Sequence, residues 1–250
     1  MLKQLLLLMM LVTTTAMGRR VSKRSLNRSD QFIERTKRAE INRTWPSGVV
    51  PYLFATDVAS NEWQRQTIMD AINYTNSETC VRFVRRFQEP NYVVFTMDLT
   101  SNVCDKRAGM RGGRQYAIIG RYYQCRNFGG ILHLLNTILG RTPEETRLDR
   151  DSYISLDFSQ IPTYRQADYD MQANPNTDYL NISFDYESIM HYENPLWGYG
   201  NKGWVTALNA EYQQFIGQRS YLSPVDKQTI NAMYGCPAPT VPPLPGKFSF

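Results

Sequence analysis

The chain has 250 residues, of which 42% are hydrophobic and 20% are charged, and this composition excludes a disordered protein. Residues 1–38 hold nine of the 28 Lys and Arg but only two of the 23 Asp and Glu, so the positive net charge of +5 is concentrated there. The rest of the chain has a net charge of −2, and we therefore expect no nucleic acid and no membrane among its partners.

The first 38 residues have the pattern of segments that are removed during secretion. Lys3 precedes an apolar run over residues 5–12, which indicates a signal peptide at residues 1–18 and is too short for a membrane span of about 20 residues. An Arg-x-Lys-Arg sequence that ends at Arg38 predicts the release of a short propeptide, residues 19–38; the alternative is a solvated charge run. We therefore expect a secreted, extracellular protein.

Cysteines and glycosylation sequons agree with that compartment. An even number of cysteines in a secreted chain predicts disulfides, although four cysteines allow three pairings. The cysteines are Cys80, Cys104, Cys125 and Cys236. Asn-x-Ser/Thr sequons predict glycan acceptors at Asn27, Asn42, Asn73 and Asn181. The first of these asparagines would leave with the propeptide.

Short apolar runs and helical patterns alternate in the first part of the domain. The apolar runs predict strands at residues 49–54, 80–87, 92–97 and 115–119. Helical spacing predicts a helix over residues 60–76, with Ser60 as its N-cap. A second helix is predicted over residues 130–139, and Gly140 gives it a C-terminal stop signal.

The second part of the chain is rich in Asp, Asn, Tyr and Pro and has little periodicity from residue 141 to residue 221. Ser223 and Pro224 then predict the start of a last helix, as an N-cap followed by proline at the first helical position. Residues 237–250 form a proline-rich tail. We therefore expect one globular domain over residues 39–236.

Three segments in the right order resemble the astacin family of zinc proteases. Residues 147–154 are similar to the R-x-D-R-D-x-Y-V segment that follows the family's zinc helix, and residues 188–192, Ser-Ile-Met-His-Tyr, match its Met-turn around Met190. The third segment is residues 216–236. The resemblance implies an α+β metzincin-like domain and disulfides that join Cys80 to Cys236 and Cys104 to Cys125.

The implied fold has two unequal halves. The N-terminal half holds a twisted sheet and two helices, and the C-terminal half is mostly irregular with one helix. An active-site cleft runs between the halves. In the family an extended peptide binds along an edge strand of the sheet, which corresponds here to residues 115–119.

The zinc motif of the family, H-E-x-x-H-x-x-G-x-x-H, is degenerate in this chain. Its histidines bind the metal and its glutamate activates the bound water. The aligned segment keeps His133 and Gly140, but Leu134 occupies the position of the base. Thr137 and Pro143 occupy the other two ligand positions. Leucine cannot accept a proton, and proline has no donor atom for a metal.

The chain contains two histidines, so a three-histidine zinc site within it is impossible. The second, His191, precedes Tyr192, which stands at the family's outer ligand position. We expect no catalytic residue, no metal and no other cofactor. His133 should instead be a neutral residue paired with a backbone or tyrosine group, and Leu134 should extend the core.

These departures lead to two hypotheses about function. The first is a catalytically inactive astacin homologue, a pseudoprotease, that binds an extended peptide or an extracellular protein. The alternative is an active zinc-dependent endopeptidase with an unconventional site, for which Zn would be the cofactor. The resemblance also places Glu144 where the family binds the freed N-terminal amine, although a terminus at Ala39 would be about three residues short for that contact.

Overall fold

The computed structural model describes residues 43–101, 104–105, 107–173, 180–193 and 203–237. The predicted signal peptide, the propeptide, and the tail apart from Pro237 lie outside these ranges, as do the sequons at Asn27 and Asn42. The mixed α+β architecture expected from the sequence is confirmed, with a sheet and two long helices in the first half. Among the described residues, no helix is both long and apolar enough to cross a bilayer.

Four parallel strands form the main sheet, in the order β2-β1-β3-β4. The strands are β1 (Val49–Phe54), β2 (Arg82–Arg85), β3 (Tyr92–Asp98) and β4 (Arg114–Gly120). All four predicted strands are present, and the last lies at an edge of the sheet as expected. The second is shorter than predicted because the Glu89 carboxylate accepts the backbone N–H groups of Phe87 and Gln88 and turns the chain.

Two long helices pack against one face of the sheet and against each other, α2 (Glu62–Glu78) and α4 (Phe128–Ile138). A short helix precedes each of them, α1 (Thr56–Ala59) and α3 (Tyr123–Arg126). The predicted cap at Ser60 is wrong, because Asn61 caps α2 by accepting a hydrogen bond from the Gln64 amide. Ser60 instead ends α1, where its backbone N–H donates to the carbonyl oxygen of Thr56.

The start of α4 depends on two glycines that allow close approach of other backbone. A Cβ atom at Gly130 would lie 1.7 Å from the Gln124 carbonyl oxygen, and one at Gly129 would lie 2.1 Å from the Arg219 carbonyl oxygen. The helix begins two residues before the predicted position. Gly140 follows its end with a φ of 102°, which agrees with the predicted stop signal.

The second half is mostly irregular, as expected. Strand β5 (Ile154–Leu156) pairs antiparallel with β6 (Val205–Ala207). Its main helix, α6 (Pro224–Tyr234), has the predicted Ser223 cap, and Asp226 completes a capping box. Beside this one long helix, the second half holds the short helix α5 (Thr163–Gln166) and several single 3-10 turns. These pieces are three or four residues long, too short for a helical period to appear in the sequence.

The two expected disulfides are present. Cys80 joins Cys236 across a sequence separation of 156 residues, and Cys104 joins Cys125 across 21 residues. The first ties the end of α2 to the end of α6. The second ties the segment before β4 to α3.

The described residues form two hydrophobic cores. The larger is enclosed by the sheet, α2 and α4, and includes Trp45, Leu134 and Met190. The smaller contains Ile154 and Phe184 with the aromatic residues around them. The functional positions of the zinc motif therefore lie where the larger core meets the second half of the chain.

Candidate functional site

His133 lies on α4 and faces the second half of the domain. Its Nδ1 atom is 2.9 Å from the carbonyl oxygen of Ile189 in the Met-turn, and the ring must donate this hydrogen bond because a carbonyl only accepts. Burial, and then the Arg219 guanidinium, lower the pKa of His133 to about 3. The ring is therefore neutral, with a backbone partner, as the sequence predicted.

Leu134 occupies the base position and belongs to the larger core, with 3% of its surface exposed. Its side chain packs with apolar neighbours and has no group that could take a proton from water. The Thr137 hydroxyl donates to the carbonyl oxygen of His133 at 3.1 Å, one helical turn earlier. The hydroxyl proton of Thr137 is therefore engaged by the helix backbone.

A cavity of about 160 Å³ brings the motif positions together. Its lining includes His133, Thr137, Pro143 and Tyr192, which are the three metal-ligand positions and the outer ligand position of the resemblance. Leu134 does not line it. The four positions thus lie around one cavity, and the side chains at Thr137 and Pro143 are not imidazoles.

Tyr192 closes one side of this cavity. Its hydroxyl donates to the carbonyl oxygen of Asp168 at 3.1 Å. Burial raises the pKa of Tyr192, and the Glu145 and Asp168 carboxylates add to the shift. The phenol is therefore a neutral hydrogen-bonded group.

The carboxylate of Asp226 holds the Met-turn in place. Asp226 of α6 accepts hydrogen bonds from the Ser188 hydroxyl at 2.6 Å and from the Ile189 amide at 2.9 Å. The Ser188 oxygen accepts in turn from the amide of Met190, whose side chain is fully buried. Hydrogen bonds within the protein thus hold the turn and place its methionine.

Both ring nitrogens of His191 are engaged by protein groups. Nδ1 is 2.9 Å from Glu145 Oε1, and Nε2 is 2.9 Å from the Asp185 carbonyl oxygen. Burial alone would lower the pKa of His191, but the Glu145 carboxylate outweighs it and holds the pKa above its usual value. His191 therefore has no nitrogen left for a metal. No local pattern in the chain indicated Glu145 as its partner.

Glu144 is buried between two arginines. Its carboxylate oxygens lie 3.4 Å from Arg147 Nη1 and 3.7 Å from Arg141 Nη2. Burial raises the pKa of Glu144 to about 7, against the lowering effect of both guanidinium groups. The partners of this carboxyl group among the described residues are thus arginine side chains. Ala39, the expected terminus that would be about three residues short for this contact, lies outside the described residues.

Arg141 is a site residue that the sequence analysis missed. Its side chain is 2% exposed, lines the cavity and contacts the buried carboxylate of Asp226 at 2.6 Å. An arginine beside glycine and threonine after a helix is usually interpreted as a surface charge. The buried carboxylate that holds it lies 85 residues further along the chain, so no local pattern could have identified the pair.

The side chains around the cavity do not fit a zinc ion. Three strong donors are needed, and the lining offers only two, the His133 imidazole and the carboxylate of Asp168, which lies 3.5 Å from Arg165. The other oxygen donors among the lining side chains include threonine hydroxyls and a phenol that is already hydrogen-bonded. Over the described ranges, His, Cys, Asp and Glu side chains nowhere gather in a group of three or more that could hold a metal. The described site therefore lacks both the ligand set and the base of a zinc hydrolase.

The edge of β4 is partly covered by the chain itself. The Asp105 amide donates to the Ile118 carbonyl oxygen at 3.1 Å, and the Ile118 amide is 3.4 Å from the Asp105 carboxylate. Arg107 holds that carboxylate at 2.8 Å and also donates to the Tyr116 carbonyl oxygen at 3.2 Å. The expected edge strand is present, but its backbone groups at Ile118 are already paired, so this position is not open to an added peptide strand.

Two predicted glycan acceptors lie within the described residues. Asn73 is exposed on α2, and Asn181 is exposed in the second half with a φ of 51°. Both side chains are therefore accessible from solvent.

Several known proteins are similar to this chain. Bone morphogenetic protein 1 of Xenopus laevis is 31% identical over 227 residues, which cover 88% of this chain and 31% of that protein. High choriolytic enzyme 1 of Oryzias latipes is 33% identical over 190 residues, which cover 75% of this chain and 66% of that protein. Zinc metalloproteinase nas-15 of Caenorhabditis elegans is 32% identical over 194 residues, or 77% of this chain and 32% of that protein. The chain thus spans about a third of the length of two of these relatives.

The fold has a solved counterpart as well. The structure of high choriolytic enzyme 1, a hatching enzyme zinc-protease of the medaka fish, superimposes with a TM-score of 0.66 at 31% identity and covers 78% of this chain and 94% of that one. The profile of the peptidase family described as Astacin matches residues 37–235. Together with the Met-turn and the two disulfides, these matches show that the chain belongs to the astacin family.

Proposed function

We propose that this astacin homologue is a secreted pseudoprotease that binds an extended peptide or an extracellular protein without cutting it. The observation that carries the proposal is the burial of Leu134 in the core, at the position where a hydrolase of this type needs its base. Thr137 and Pro143, at two ligand positions, support the same conclusion. The retained cavity, Met-turn and two-part fold support a binding role.

Metal content and proteolysis on the same sample test this proposal. The secreted protein should contain far less than one zinc per chain and should leave a denatured protein substrate intact, whereas high choriolytic enzyme 1, as the positive control, should be inhibited by a chelator. Stoichiometric zinc together with chelator-sensitive cleavage would establish the alternative, an active zinc-dependent endopeptidase.

Binding is tested separately, because an inert domain would also fail to cut. A display library of extended peptides, panned against the secreted protein, should enrich a common sequence. The enriched peptide should compete with a covalent modifier placed at the cavity rim, for example on a cysteine introduced at Gln172, which lines the cavity. Panning that enriches nothing, or a peptide that leaves the modification rate unchanged, contradicts binding at the cleft.

Secretion and processing can be determined on the mature protein itself. Expression in animal cells should deliver the protein to the medium with Ala39 as its first residue and with glycans at Asn42, Asn73 and Asn181. Mass spectrometry before and after glycan removal measures all of these. Retention in the cell, or an intact start at Met1, is the result that contradicts the proposal.

A further inference from the structure

The cavity that stands at the family's zinc position contains a fixed positive charge. Arg141 lines it together with His133, Thr137 and Pro143. A guanidinium group remains protonated under all conditions that a folded protein tolerates, so this charge cannot be titrated away. Any cation that enters the cavity must approach it.

The guanidinium group of Arg141 is fixed in place by three side chains. Nη1 donates to Asn136 Oδ1 at 3.1 Å and to Asp226 Oδ1 at 2.6 Å, and Nη2 donates to Ser188 Oγ at 3.3 Å. Asn136 is itself held by a hydrogen bond to the Leu132 carbonyl oxygen at 2.8 Å. Because these partners are buried, Arg141 cannot swing out to solvent when another ion arrives.

A second arginine lies close to the cavity and adds to its positive potential. Arg219 donates to the carbonyl oxygen of His191 at 2.9 Å, next to Tyr192 of the cavity lining. The carboxyl groups of Asp226, 2.6 Å from Arg141, and of Glu144, 3.7 Å from it, offset part of this potential, but neither residue lines the cavity. The acidic residue that does line it, Asp168, is 3.5 Å from Arg165.

We propose that Arg141 bars divalent cations from the cavity and, as a cation fixed in the protein, ties α4 to the Met-turn and to α6. Weak zinc binding then has two causes, the missing ligands and the fixed charge. This inference rests on the proposed function, because each of them requires that the wild-type chain binds no zinc. Repairing the ligands alone should therefore leave zinc binding weak.

The test compares two repaired forms of the full-length secreted protein. The first carries Leu134→Glu, Thr137→His and Pro143→His, and the second adds Arg141→Gln, whose neutral amide can still donate to Asp226. Calorimetric titration with zinc should give a dissociation constant at least about tenfold lower for the second form. Adding Arg65→Gln instead, at an exposed position of α2, should change it by less than about twofold.

Circular dichroism checks that each form is folded before titration. If the form with Arg141→Gln does not fold, Arg141→Met combined with Asp226→Asn removes both members of the pair, and it should still bind zinc more tightly than the first form. Equal affinities in folded proteins, tight zinc binding by the first form, or no binding by any repaired form would each overturn the inference. Zinc-dependent cleavage by the wild-type chain would instead overturn the proposed function, so the two failures are distinguishable.

Discussion

At the scale of single residues, the zinc motif shows how a catalytic position becomes a core position. Leu134 is surrounded by Ile131, Leu135 and Ile138 on the same helix, all of them buried. Burying a leucine side chain contributes about 1.5 to 3 kcal/mol, whereas a buried carboxylate without a partner costs free energy. In a chain without zinc, leucine is the more stable choice.

Restoring the glutamate alone should therefore destabilise the protein. We expect Leu134→Glu to lower the free energy of unfolding by about 3 kcal/mol or more, because it removes apolar burial and leaves a carboxylate without a metal. Urea denaturation at pH 7 measures the change. The control Leu134→Met should cost less than about 1.5 kcal/mol, and a similar cost for both variants would contradict the explanation.

The buried carboxyl group of Glu144 should make stability depend on pH. Its pKa is raised from 4.5 to about 7, so the folded protein holds a proton that the unfolded chain releases above pH 4.5. The free energy of unfolding should thus fall as pH rises from about 4.5 to about 7, and then level off. Glu144→Gln lacks this proton, so relative to wild type it should gain about 3 kcal/mol between pH 4.5 and pH 8.

Denaturant titrations of both proteins at about pH 4.5, 6 and 8 measure the free energy of unfolding across this range. The proton of Glu144 should be released from the folded protein between the lowest and the highest of these pH values. A constant difference between Glu144→Gln and wild type across the three pH values would show that Glu144 stays ionised between its two arginines.

Whether a residue of this site could be predicted from the sequence depends on how far away its partners lie in the chain. Leu134, Thr137 and Pro143 could be identified from sequence because the motif has a fixed spacing. Arg141 and Glu145 could not, because their partners Asp226 and His191 lie 85 and 46 residues away and meet them only in the folded domain. Buried polar pairs are specified by the tertiary structure and not by local pattern.

At the scale of elements, apolar runs and caps predicted the four main strands and the three longer helices to within a few residues. The errors arose where two polar residues compete for a cap, as Ser60 and Asn61 do, or where a side chain turns the strand, as Glu89 does after β2. The short helix and 3-10 turns of the second half were missed because they have no period of their own. Hydrogen bonds between distant segments, such as the one from Arg150 to the Tyr169 carbonyl oxygen, hold them instead.

The close contact at the start of α4 gives a prediction for this element. We expect Gly130→Ala to lower the free energy of unfolding by about 2 kcal/mol or more, because a Cβ atom would lie 1.7 Å from the Gln124 carbonyl oxygen and the backbone must move. Thermal or urea denaturation measures the change. Asn73→Ala, on the exposed face of α2 and made in cells without glycosylation, should stay within about 0.5 kcal/mol of wild type. Equal stability of the two variants would contradict the contact.

At the scale of the whole molecule, covalent bonds and buried ion pairs join parts that are distant in sequence. Replacing Cys80 and Cys236 together by alanine should lower the free energy of unfolding by about 5 kcal/mol, and replacing Cys104 and Cys125 by about 3 kcal/mol, because the first closes the longer loop. Urea denaturation of the two double variants tests the order. The reverse order would show that strain or residual structure outweighs chain entropy.

A domain that does not depend on zinc should also be indifferent to chelators. We expect the melting temperature of the protein to shift by less than about 1 °C after exhaustive dialysis against EDTA, because only a metal bound to the folded state would raise the melting temperature before dialysis. High choriolytic enzyme 1 serves as the comparison for a zinc-protease. A large drop for this chain would indicate a bound metal that contributes to stability.

The segment around Asp105, which pairs with Ile118 along β4, has a consequence beyond ligand binding. An uncovered edge strand offers a row of amide and carbonyl groups to any other chain and is a common start of aggregation. Here Asp105 and Arg107 pair with part of that row, at Ile118 and Tyr116, and place charge beside it. The domain therefore carries its own protection against edge-to-edge association along this strand at high protein concentration.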